Sequence, residues 1–413
     1  MNHFHASGGE LYAEDVPLRR IAEEVGTPTY VYSTATLARH VGVVQQAFVG
    51  MDSLICYSVK ANATQGILSL FARRGVGFDI VSVGELARVR RAGGRMDRVV
   101  FSGVGKREDE LQAALEAGIL MFNVESKEEL LLLDQVARRL GVKAPFALRV
   151  NPDVDPRTHR HIATGLKSSK FGVPFGEAVG LYRLSKKLKG LEARGLDCHI
   201  GSQLTDARPL VQAIGKVAGL FSELRRQGHR LTHLDVGGGL GVRYTDEDPP
   251  GLAEYSQVVR APLEKLGATV VLEPGRVLVA NAGLLLTRVL YRKQAPSKHF
   301  VIVDAAMNDL LRPALYEAHH DIRPVAPRRG KARVSDVVGP VCESTDVLGR
   351  DRELPPLQPG DLLAVMTAGA YGMSMASTYN SRPRPAEVLV DGSSFRIIRR
   401  RETLEELYRG ETP

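Results

Sequence analysis

The sequence has no tryptophan, only three cysteines and no long hydrophobic run. Cys56, Cys198 and Cys342 are too few, and odd in number, for a disulfide framework, so a reducing cytoplasm is the expected location. No stretch approaches the roughly 18 uncharged apolar residues of a membrane-spanning helix, so no membrane association is expected. The first residues lack a basic region followed by an apolar core, so no secretion signal is predicted.

The charge balance is basic, with 55 Lys and Arg against 47 Asp and Glu and a formal net charge of +8. Arginine clusters at 88–95, 328–333 and 399–401 could form a nucleic-acid footprint. They are scattered among acids, however, and no series of aromatic residues is interleaved with them. A solvated face or a preference for small anionic molecules is the favoured interpretation, and no nucleic-acid partner is expected.

The first part of the 413-residue chain, which is long enough for two domains, repeats one pattern of apolar runs and helical stretches. In the helical stretches apolar residues recur at i, i+3 and i+4, and glycine follows where a C-cap belongs. Eight strands that each lead into a helix predict an α/β fold, a parallel (β/α)8 barrel of the TIM type. The runs are Leu54–Val59, Gly77–Val81, Arg98–Ser102, Ile119–Val124, Pro145–Val150, Leu196–Ile200, His233–Val236 and Val270–Leu272.

The pattern changes after about Leu286, where short apolar runs alternate with turns rich in proline and glycine. Such runs predict an antiparallel β domain, and Leu11–Tyr12 and Tyr30–Tyr32 could return to it as its first strands. The expected domains are therefore a barrel at 36–285 and a β-rich domain at 1–35 and 286–413. The later runs are His299–Val303, Val334–Val338, Asp361–Val365 and Glu387–Val390.

A loop that is long for such a barrel, at 151–175, is rich in His, Lys and Gly. Its basic, glycine-containing part at 164–172 could close over a substrate as a lid, or it could be a solvated loop. No catalytic role is assigned to it.

Polar residues follow the predicted barrel strands, whose C-terminal ends form the active-site face of such a fold. Lys60 is the most informative, because an ammonium at the end of an apolar run needs a partner, although a lone lysine there is usually a surface residue. The mixture of amine, acids, hydroxyls and glycines favours a phosphate-bearing cofactor. In chain order the residues are Lys60, Asp79 with Ser82, Ser102, Asn123 with Glu125, Arg149, His199 with Ser202, Gly237 to Gly239, and Glu273 with Arg276.

Consecutive glycines at 237–239 follow the seventh predicted strand. Their backbone N–H groups can approach an anion because no side chain intervenes, although a glycine run alone is often only a turn. Many barrels bind phosphate after strands seven and eight, whereas a Rossmann site is not expected because its glycine fingerprint is missing. Glu273 could pair with Arg276 or keep a pyridine nitrogen protonated, and His199 could be structural or could stack on a cofactor ring.

Seven ordered motifs, which cover nearly the whole chain, resemble the fold-type III pyridoxal-phosphate decarboxylases. Four of them belong to the predicted barrel: Tyr57–Asn62, His199–Gln203, Asp235–Gly239 and Glu273–Arg276. Three later ones resemble the diaminopimelate decarboxylase family in particular: Arg312–Tyr316, Cys342–Ser344 and Gly369–Gly372. The resemblance implies an alanine racemase-like fold, with a barrel and a C-terminal antiparallel β domain that completes the active site. It also implies pyridoxal 5′-phosphate as cofactor and no metal.

The resemblance also assigns roles to the cofactor residues. It implies that Lys60 forms the Schiff base, that His199 stacks on the ring and that Glu273 pairs with the pyridine nitrogen. Arg149 is expected near the ring hydroxyl, and Asp79 and Tyr371 are further expected contacts. The phosphate group is expected among Ser202, Gly237, Gly238, Gly239, Gly275 and Arg276.

The implied reaction is decarboxylation of meso-2,6-diaminopimelate to L-lysine, the last step of lysine biosynthesis. Cys342 is the implied proton donor, and the resemblance implies a homodimer in which the segment of Cys342 and Glu343 reaches in from the partner subunit. Arginine matches the distal carboxylate of this substrate with a two-pronged hydrogen bond, while two arginines would repel the bare amine of ornithine. The implied substrate residues are Arg276, Arg312, Tyr316, Glu343 and Tyr371.

Purely structural roles and other functions remain as alternatives to these assignments. Arg312 could form a surface ion pair with Glu317, and Cys342 could be an inert buried thiol, as Cys56 and Cys198 are expected to be. A related decarboxylase for another basic amino acid or for carboxynorspermidine is the second hypothesis. A non-catalytic relative that binds the cofactor is the third.

Overall fold

The computed structural model describes residues 2–155 and 169–412 and divides the chain into two compact units. One comprises Val41–Val242 and Asp248–Val277, and we call it the barrel unit. The other comprises Met1–His40, Arg243–Glu247 and Leu278–Pro413, and we call it the β unit.

The barrel unit contains eight parallel strands in a closed ring, as the repeating pattern predicts. Each strand pairs with the next, and the eighth returns to the first, with Val271 opposite Leu54. A two-residue strand, Val173–Pro174, adds to the fifth in parallel. The barrel strands are Ser53–Ser58, Gly77–Ile80, Val99–Phe101, Met121–Val124, Ala144–Asn151, Leu191–Asp197, His233–Asp235 and Thr269–Leu272.

The sixth strand begins and ends earlier than the predicted run Leu196–Ile200. Its first half includes Glu192 and Arg194, which form an ion pair of 2.7 Å, so this half lacks the apolar signal of a barrel strand. His199 therefore lies two residues beyond the strand, in the segment that leaves the active-site end of the barrel.

Helices follow the strands where the apolar spacing predicts them. Leu111 and Ala114 are buried on one helix, and Gly118 and Gly141 adopt the left-handed conformation as the predicted C-caps. Ser126 caps the next helix, because its Oγ accepts a hydrogen bond from the N–H of Glu129 at 3.0 Å. The helices are Gln65–Arg73, Val83–Arg91, Glu108–Ala117, Lys127–Leu140, Ala178–Ser185, Arg208–Arg226 and Leu252–Leu263, with Thr34–Ala47 before the first barrel strand and Arg276–Val279 after the last.

The β unit is built on a mixed sheet in which most neighbouring strands are antiparallel. Two pairs are parallel, namely His299–Val303 with Arg333–Val338 and Thr29–Ser33 with Ala386–Asp391. The sheet order is Val347–Leu354, Arg333–Val338, His299–Val303, Gly283–Gln294, Thr29–Ser33, Ala386–Asp391 and Ser394–Arg399, and Leu362–Val365 joins Gly283–Gln294 and Ile322–Pro324. The short helices of this unit are Leu18–Val25, Arg312–Tyr316 and Leu404–Tyr408.

The chain start contributes to this unit in two ways. Tyr30–Tyr32 lies in the main sheet, as expected, within the strand Thr29–Ser33. Leu11–Tyr12 also lies in a strand of this unit, as expected, and that strand belongs to a separate three-stranded sheet of Phe4–Ser7, Glu10–Ala13 and Val16–Pro17.

The predicted lid at 164–172 falls partly outside the described residues, which resume at Ser169. Within the described ranges, no helix combines the length and the apolar character that a membrane crossing requires.

Helix Lys127–Leu140 offers a test of which face supports the barrel. Leu133 is fully buried whereas Leu131 is 41% exposed, so L133A should cost about 2–5 kcal/mol of unfolding free energy and L131A at most about 0.5 kcal/mol. Urea unfolding of the two variants checks this. Equal losses of stability would contradict the assigned buried face.

Candidate active site

Lys60 lies just beyond the first barrel strand, in the single helical turn Val59–Ala61. Its Nζ is 2.5 Å from Oδ2 of Asp79, a fully buried residue of the second strand, while the Lys60 side chain is 36% exposed. The ammonium therefore has the partner that its position demands, and it still reaches the open end of the barrel. The hydroxyl of Ser58 lies 3.0 Å from the same Asp79 oxygen and ties the two strands together.

Glu273 follows the eighth strand and is 4% exposed. Its carboxylate accepts hydrogen bonds from Ser102 at 3.3 Å and from Asn123 at 3.4 Å. The pKa of the Glu273 carboxyl is raised to about 7, chiefly by burial and then by the charge of Asp79, against the opposing effects of Lys60 and Arg149. This carboxyl can therefore hold a proton near neutral pH.

Two more buried acids end the sixth and seventh strands. Burial and the nearby Glu273 raise the pKa of both Asp197 and Asp235 well above the ordinary value. Together with Asp79 and Glu273 they form a group of four buried acids, which we call the acid cluster. The positive charges of Lys60 and Arg149 oppose the rise in pKa, but two cations do not balance four acids. The acid cluster therefore favours an additional proton or a cationic group.

Arg149 lies at the end of the fifth strand and is buried. Its guanidinium is 3.0 Å from Glu125 and 3.9 Å from Asp197, and it lies 4.9 Å from the centre of the Phe171 ring. Glu125 also accepts a hydrogen bond of 2.9 Å from the N–H of Gly172. Glu125 thus fixes Arg149 and the returning end of the long loop. The expected contact of Arg149 with a ring hydroxyl stays a prediction.

His199 presents a neutral ring at the same end of the barrel. Burial lowers the pKa of its imidazole well below the ordinary value, and the charges of Arg149 and Lys60 act in the same direction. Its Nδ1 accepts a hydrogen bond from the N–H of Gly238 at 3.1 Å, so the proton of the neutral ring lies on Nε2. A flat, uncharged ring suits the predicted stacking on a cofactor.

The glycine run allows a very close approach to neighbouring strand ends. A Cβ atom on Gly238 would lie 2.0 Å from the carbonyl oxygen of Glu273, and one on Gly239 would lie 2.3 Å from that of Gly201. The N–H groups of Gly237 and Gly238 donate to Asp235 and His199, at 2.9 and 3.1 Å. The glycines are therefore required by the packing of this loop, a reason that neither the predicted anion site nor the alternative of a simple turn had included.

Ser202 and Arg276, two of the residues predicted to surround a phosphate group, contact one another. Arg276 is buried, and its guanidinium nitrogen is 3.2 Å from the hydroxyl oxygen of Ser202. Gly275 approaches the first strand closely, since a Cβ there would lie 3.1 Å from that of Ser58. A cation and a hydroxyl thus meet beside the glycine run, which is the chemistry of a phosphate site.

Within the β unit, Arg312 begins the helix Arg312–Tyr316 and is 6% exposed. The predicted alternative of a surface ion pair with Glu317 is therefore wrong, because the side chain does not lie at the surface. Its guanidinium is 2.9 Å from Nε2 of His320 and 4.5 Å from the centre of the Tyr244 ring. Tyr316, on the same helix, is half-buried.

The thiol of Cys342 is free and exposed, so the alternative of an inert buried thiol is wrong for this residue. Its N–H donates to the side chain of Asn380 at 2.9 Å, and Glu343 accepts a hydrogen bond from the Tyr379 hydroxyl at 2.8 Å. Hydrogen bonds from Thr345 and Tyr379 lower the pKa of the Glu343 carboxyl, which is therefore ionised near neutral pH. The other two thiols, Cys56 and Cys198, are buried as expected.

Tyr371 lies in a tight turn of the β unit. It is half-buried and has a φ of 56°, a left-handed conformation that is uncommon for a residue with a side chain. On either side of it, a Cβ on Gly369 would lie 2.0 Å from the carbonyl oxygen of Val279, and one on Gly372 would lie 2.5 Å from that of Ala368. The motif Gly369–Gly372 is therefore explained by close packing around one constrained tyrosine.

Sequence reasoning missed several residues that contact predicted site residues, among them Tyr244, His320, Tyr379 and Asn380. Asn380 has a φ of 54°, and asparagine tolerates this left-handed conformation better than most residues. No spacing in the sequence signals these residues, because each acts through a partner on another segment.

The comparisons with known proteins agree with this geometry. A family model described as pyridoxal-dependent decarboxylase, pyridoxal binding domain, matches residues 34–280. The match defines the chain as a pyridoxal-dependent decarboxylase, with pyridoxal 5′-phosphate as its cofactor.

Full-length relatives show to which family of pyridoxal-dependent decarboxylases the chain belongs. A diaminopimelate decarboxylase of Pseudomonas aeruginosa is 54% identical over 412 residues, which are 100% of this chain and 99% of the relative. The solved diaminopimelate decarboxylase of Helicobacter pylori in complex with L-lysine is 45% identical, with a TM-score of 0.93 over 95% of this chain and 99% of that one. The enzyme of M. jannaschii in co-complex with L-lysine is 36% identical, with a TM-score of 0.95 over 100% and 99%. The chain belongs to the diaminopimelate decarboxylase family, and its predicted fold class is confirmed.

The barrel unit has a donor set that fits this cofactor chemically. An aldehyde requires an amine such as Lys60, and a pyridine nitrogen requires a buried acid such as Glu273. A phosphate group requires a cation with a hydroxyl beside it, as Arg276 has in Ser202. All of these residues lie at one end of one barrel.

The glycine run offers a test of this site. G238A should weaken pyridoxal 5′-phosphate binding at least tenfold, because its Cβ would collide with the backbone at Glu273. G219A is the matched control, since a Cβ on this helical glycine meets nothing within 4 Å. Titration of each variant with cofactor, followed by absorbance, measures the effect. Unchanged affinity of G238A would contradict the required close approach.

The raised pKa of Glu273 makes the stability of the apoprotein depend on pH. A carboxyl whose pKa is about 7 when folded, against an ordinary value of 4.5, stabilises the fold below pH 4.5 and loses this contribution as the pH rises through 7. The stability of wild type relative to E273Q should therefore fall between pH 5 and 8, by at most about 3 kcal/mol.

Chemical unfolding of both apoproteins across this range measures the difference. The matched control is E128Q, which removes the carboxylate of an exposed glutamate. A difference that rises with pH would contradict the assignment.

Proposed function

We propose that the chain converts meso-2,6-diaminopimelate to L-lysine and carbon dioxide, as the last step of lysine biosynthesis. The observation that carries the proposal is the accessible amine of Lys60, paired at 2.5 Å with buried Asp79 at the barrel end that also contains Glu273. The name of the Pseudomonas aeruginosa relative and the L-lysine in the two solved complexes support the choice of substrate and product.

The proposed roles in the barrel unit follow from charge and burial. When bound, pyridoxal 5′-phosphate supplies an electron sink for the electron pair that the departing carboxylate leaves behind. Lys60 provides Nζ as the amine that attaches the cofactor, and Asp79 orients this atom. Glu273 holds a proton at the ring nitrogen, and neutral His199 packs against the ring face. Arg276 and Ser202 bind the phosphate group.

The proposed proton donor is Cys342, whose Sγ, or a water molecule that it orders, returns a proton to the reacting carbon. Its exposure supports this role, because the donor has to reach a substrate. We further propose a homodimer in which the segment of Cys342 and Glu343 serves the partner subunit. The exposure of both residues supports that arrangement.

Selectivity is proposed to depend on the distal end of the substrate, which carries both a carboxylate and an ammonium. Arg312 and Arg276 offer cations to carboxylates, and the ionised Glu343 accepts the ammonium. Tyr316 and Tyr371 are further proposed substrate contacts, and Tyr371 is also a proposed cofactor contact. Diaminopimelate has a second carboxylate at its distal end, which lysine and ornithine lack. An arginine that pairs with this distal carboxylate therefore distinguishes diaminopimelate from the simple diamino acids.

The proposed division of labour assigns cofactor binding to 36–285, and completion of the active site to 1–35 and 286–413. The family match to 34–280 supports the first assignment. We also propose a reducing cytoplasm as the location, which the three free thiols support.

A panel of amino acids tests the proposed reaction. With pyridoxal 5′-phosphate, the purified chain should release carbon dioxide and lysine in equal amounts from meso-diaminopimelate, and K60A should lose at least a thousandfold in rate. Carbon dioxide and lysine are assayed together for diaminopimelate. L-lysine, ornithine, arginine and carboxynorspermidine are each tested as the substrate in separate assays of carbon dioxide release. Release from one of these alone would identify a related decarboxylase, and release from none would leave a cofactor-binding relative.

Replacement of Arg312 tests the proposed selectivity. R312M should lower kcat/KM for diaminopimelate about a hundredfold or more, because a desolvated charge pair with the distal carboxylate is lost. R323M is the matched control, since this arginine is exposed and pairs with Asp321. Steady-state kinetics measure both variants, and unchanged kinetics of R312M would reject its role.

A further inference from the structure

We propose that His320 and Tyr244 are positioning residues that hold the guanidinium of Arg312 in one orientation and thereby determine the preference for a substrate with a distal carboxylate. This inference rests on the proposed function, in which Arg312 binds that carboxylate. All three residues lie in the β unit.

His320 is fully buried, and hydrogen bonds at both of its ring nitrogens fix its protonation state. Its Nδ1 is 2.9 Å from the carbonyl oxygen of Met366, which can only accept, so Nδ1 carries a proton. Its Nε2 is 2.9 Å from a guanidinium nitrogen of Arg312, which can only donate, so Nε2 carries a lone pair. The two neighbours therefore select one neutral tautomer.

A neutral acceptor at this position has a consequence for charge. A carboxylate in the place of His320 would orient Arg312 but would also cancel its positive charge. The imidazole accepts a hydrogen bond from the guanidinium without carrying a negative charge, so it orients Arg312 without forming an ion pair with it.

Tyr244 restrains Arg312 in the other direction. The guanidinium lies over the Tyr244 ring at 4.5 Å from its centre, a cation–π contact that favours a parallel plane. The ring of His320 meets that of Tyr244 edge to face, at 5.5 Å and 78°. His320 thus fixes the edge of the guanidinium, Tyr244 fixes its face, and the two rings support one another.

The experiment uses the holoenzyme and compares two replacements of each residue. H320Q keeps a donor for Met366 and an acceptor for Arg312, whereas H320L keeps neither. Y244F keeps the aromatic face, whereas Y244L removes it. H320L should raise KM for diaminopimelate at least tenfold with kcat within threefold, and H320Q should restore KM to within threefold of wild type. Y244L should raise KM about three- to tenfold, and Y244F should not.

A double-mutant cycle shows whether His320 acts through Arg312. In an R312M background, H320L should have no further effect on kcat/KM, because the group that it positions is already gone. Binding of L-lysine and of 1,5-diaminopentane to the holoenzyme adds a second readout. The first ligand retains the distal carboxylate and the second lacks it, so H320L should weaken only the first.

The outcomes separate this inference from the proposed function. A wild type without activity, or an R312M variant with normal kinetics, would reject the function itself. If R312M is impaired while H320L has normal KM, or if the two effects multiply in the double variant, the inference is overturned. Equal weakening of both ligands by H320L, with restored binding in H320Q, would also overturn it. If H320L does not fold, Y244L against Y244F decides the same question.

Discussion

The ion pair of Lys60 with Asp79 is the interaction on which the rest of the site depends. It brings an amine to the end of the barrel that also contains the acid cluster, and it keeps that amine accessible. Buried charges are costly unless they are paired, so the barrel can retain Asp79 only with a cation beside it. The same balance explains why Arg149 is held by Glu125 and Asp197 at the neighbouring strand ends.

The two units contribute groups of opposite charge: the barrel unit has a cluster of buried acids, and the β unit has a buried arginine. In the barrel unit, the acid cluster raises the affinity of the site for positive charge, and the pKa of Glu273 reflects this. In the β unit, Arg312 contacts a neutral imidazole and an aromatic face, neither of which carries a negative charge. In the proposed function, the first arrangement suits a cofactor with a cationic ring, and the second suits a substrate with a second carboxylate.

Much of this architecture follows from local patterns. The eight barrel strands and the C-caps at Gly118 and Gly141 follow from apolar spacing and from glycine, which act over a few residues. Strand Gly283–Gln294 was missed because its outer half is charged and exposed, although its first half is buried. The roles of His320 and Asn380 were not predicted, because their hydrogen-bond partners Met366 and Cys342 lie 46 and 38 residues away in the sequence. Only the folded chain creates such pairs, so the sequence could indicate candidate site residues at the strand ends but not the partners that hold them in place.

The acid cluster also makes the barrel a proton reservoir. Asp197, Asp235 and Glu273 are buried together, and each holds its proton more tightly than an exposed acid would. In the role proposed for Glu273, a pyridine ring bound beside it would find a proton that the apoprotein already holds. Protonation of the ring nitrogen would then need no donor from bulk water.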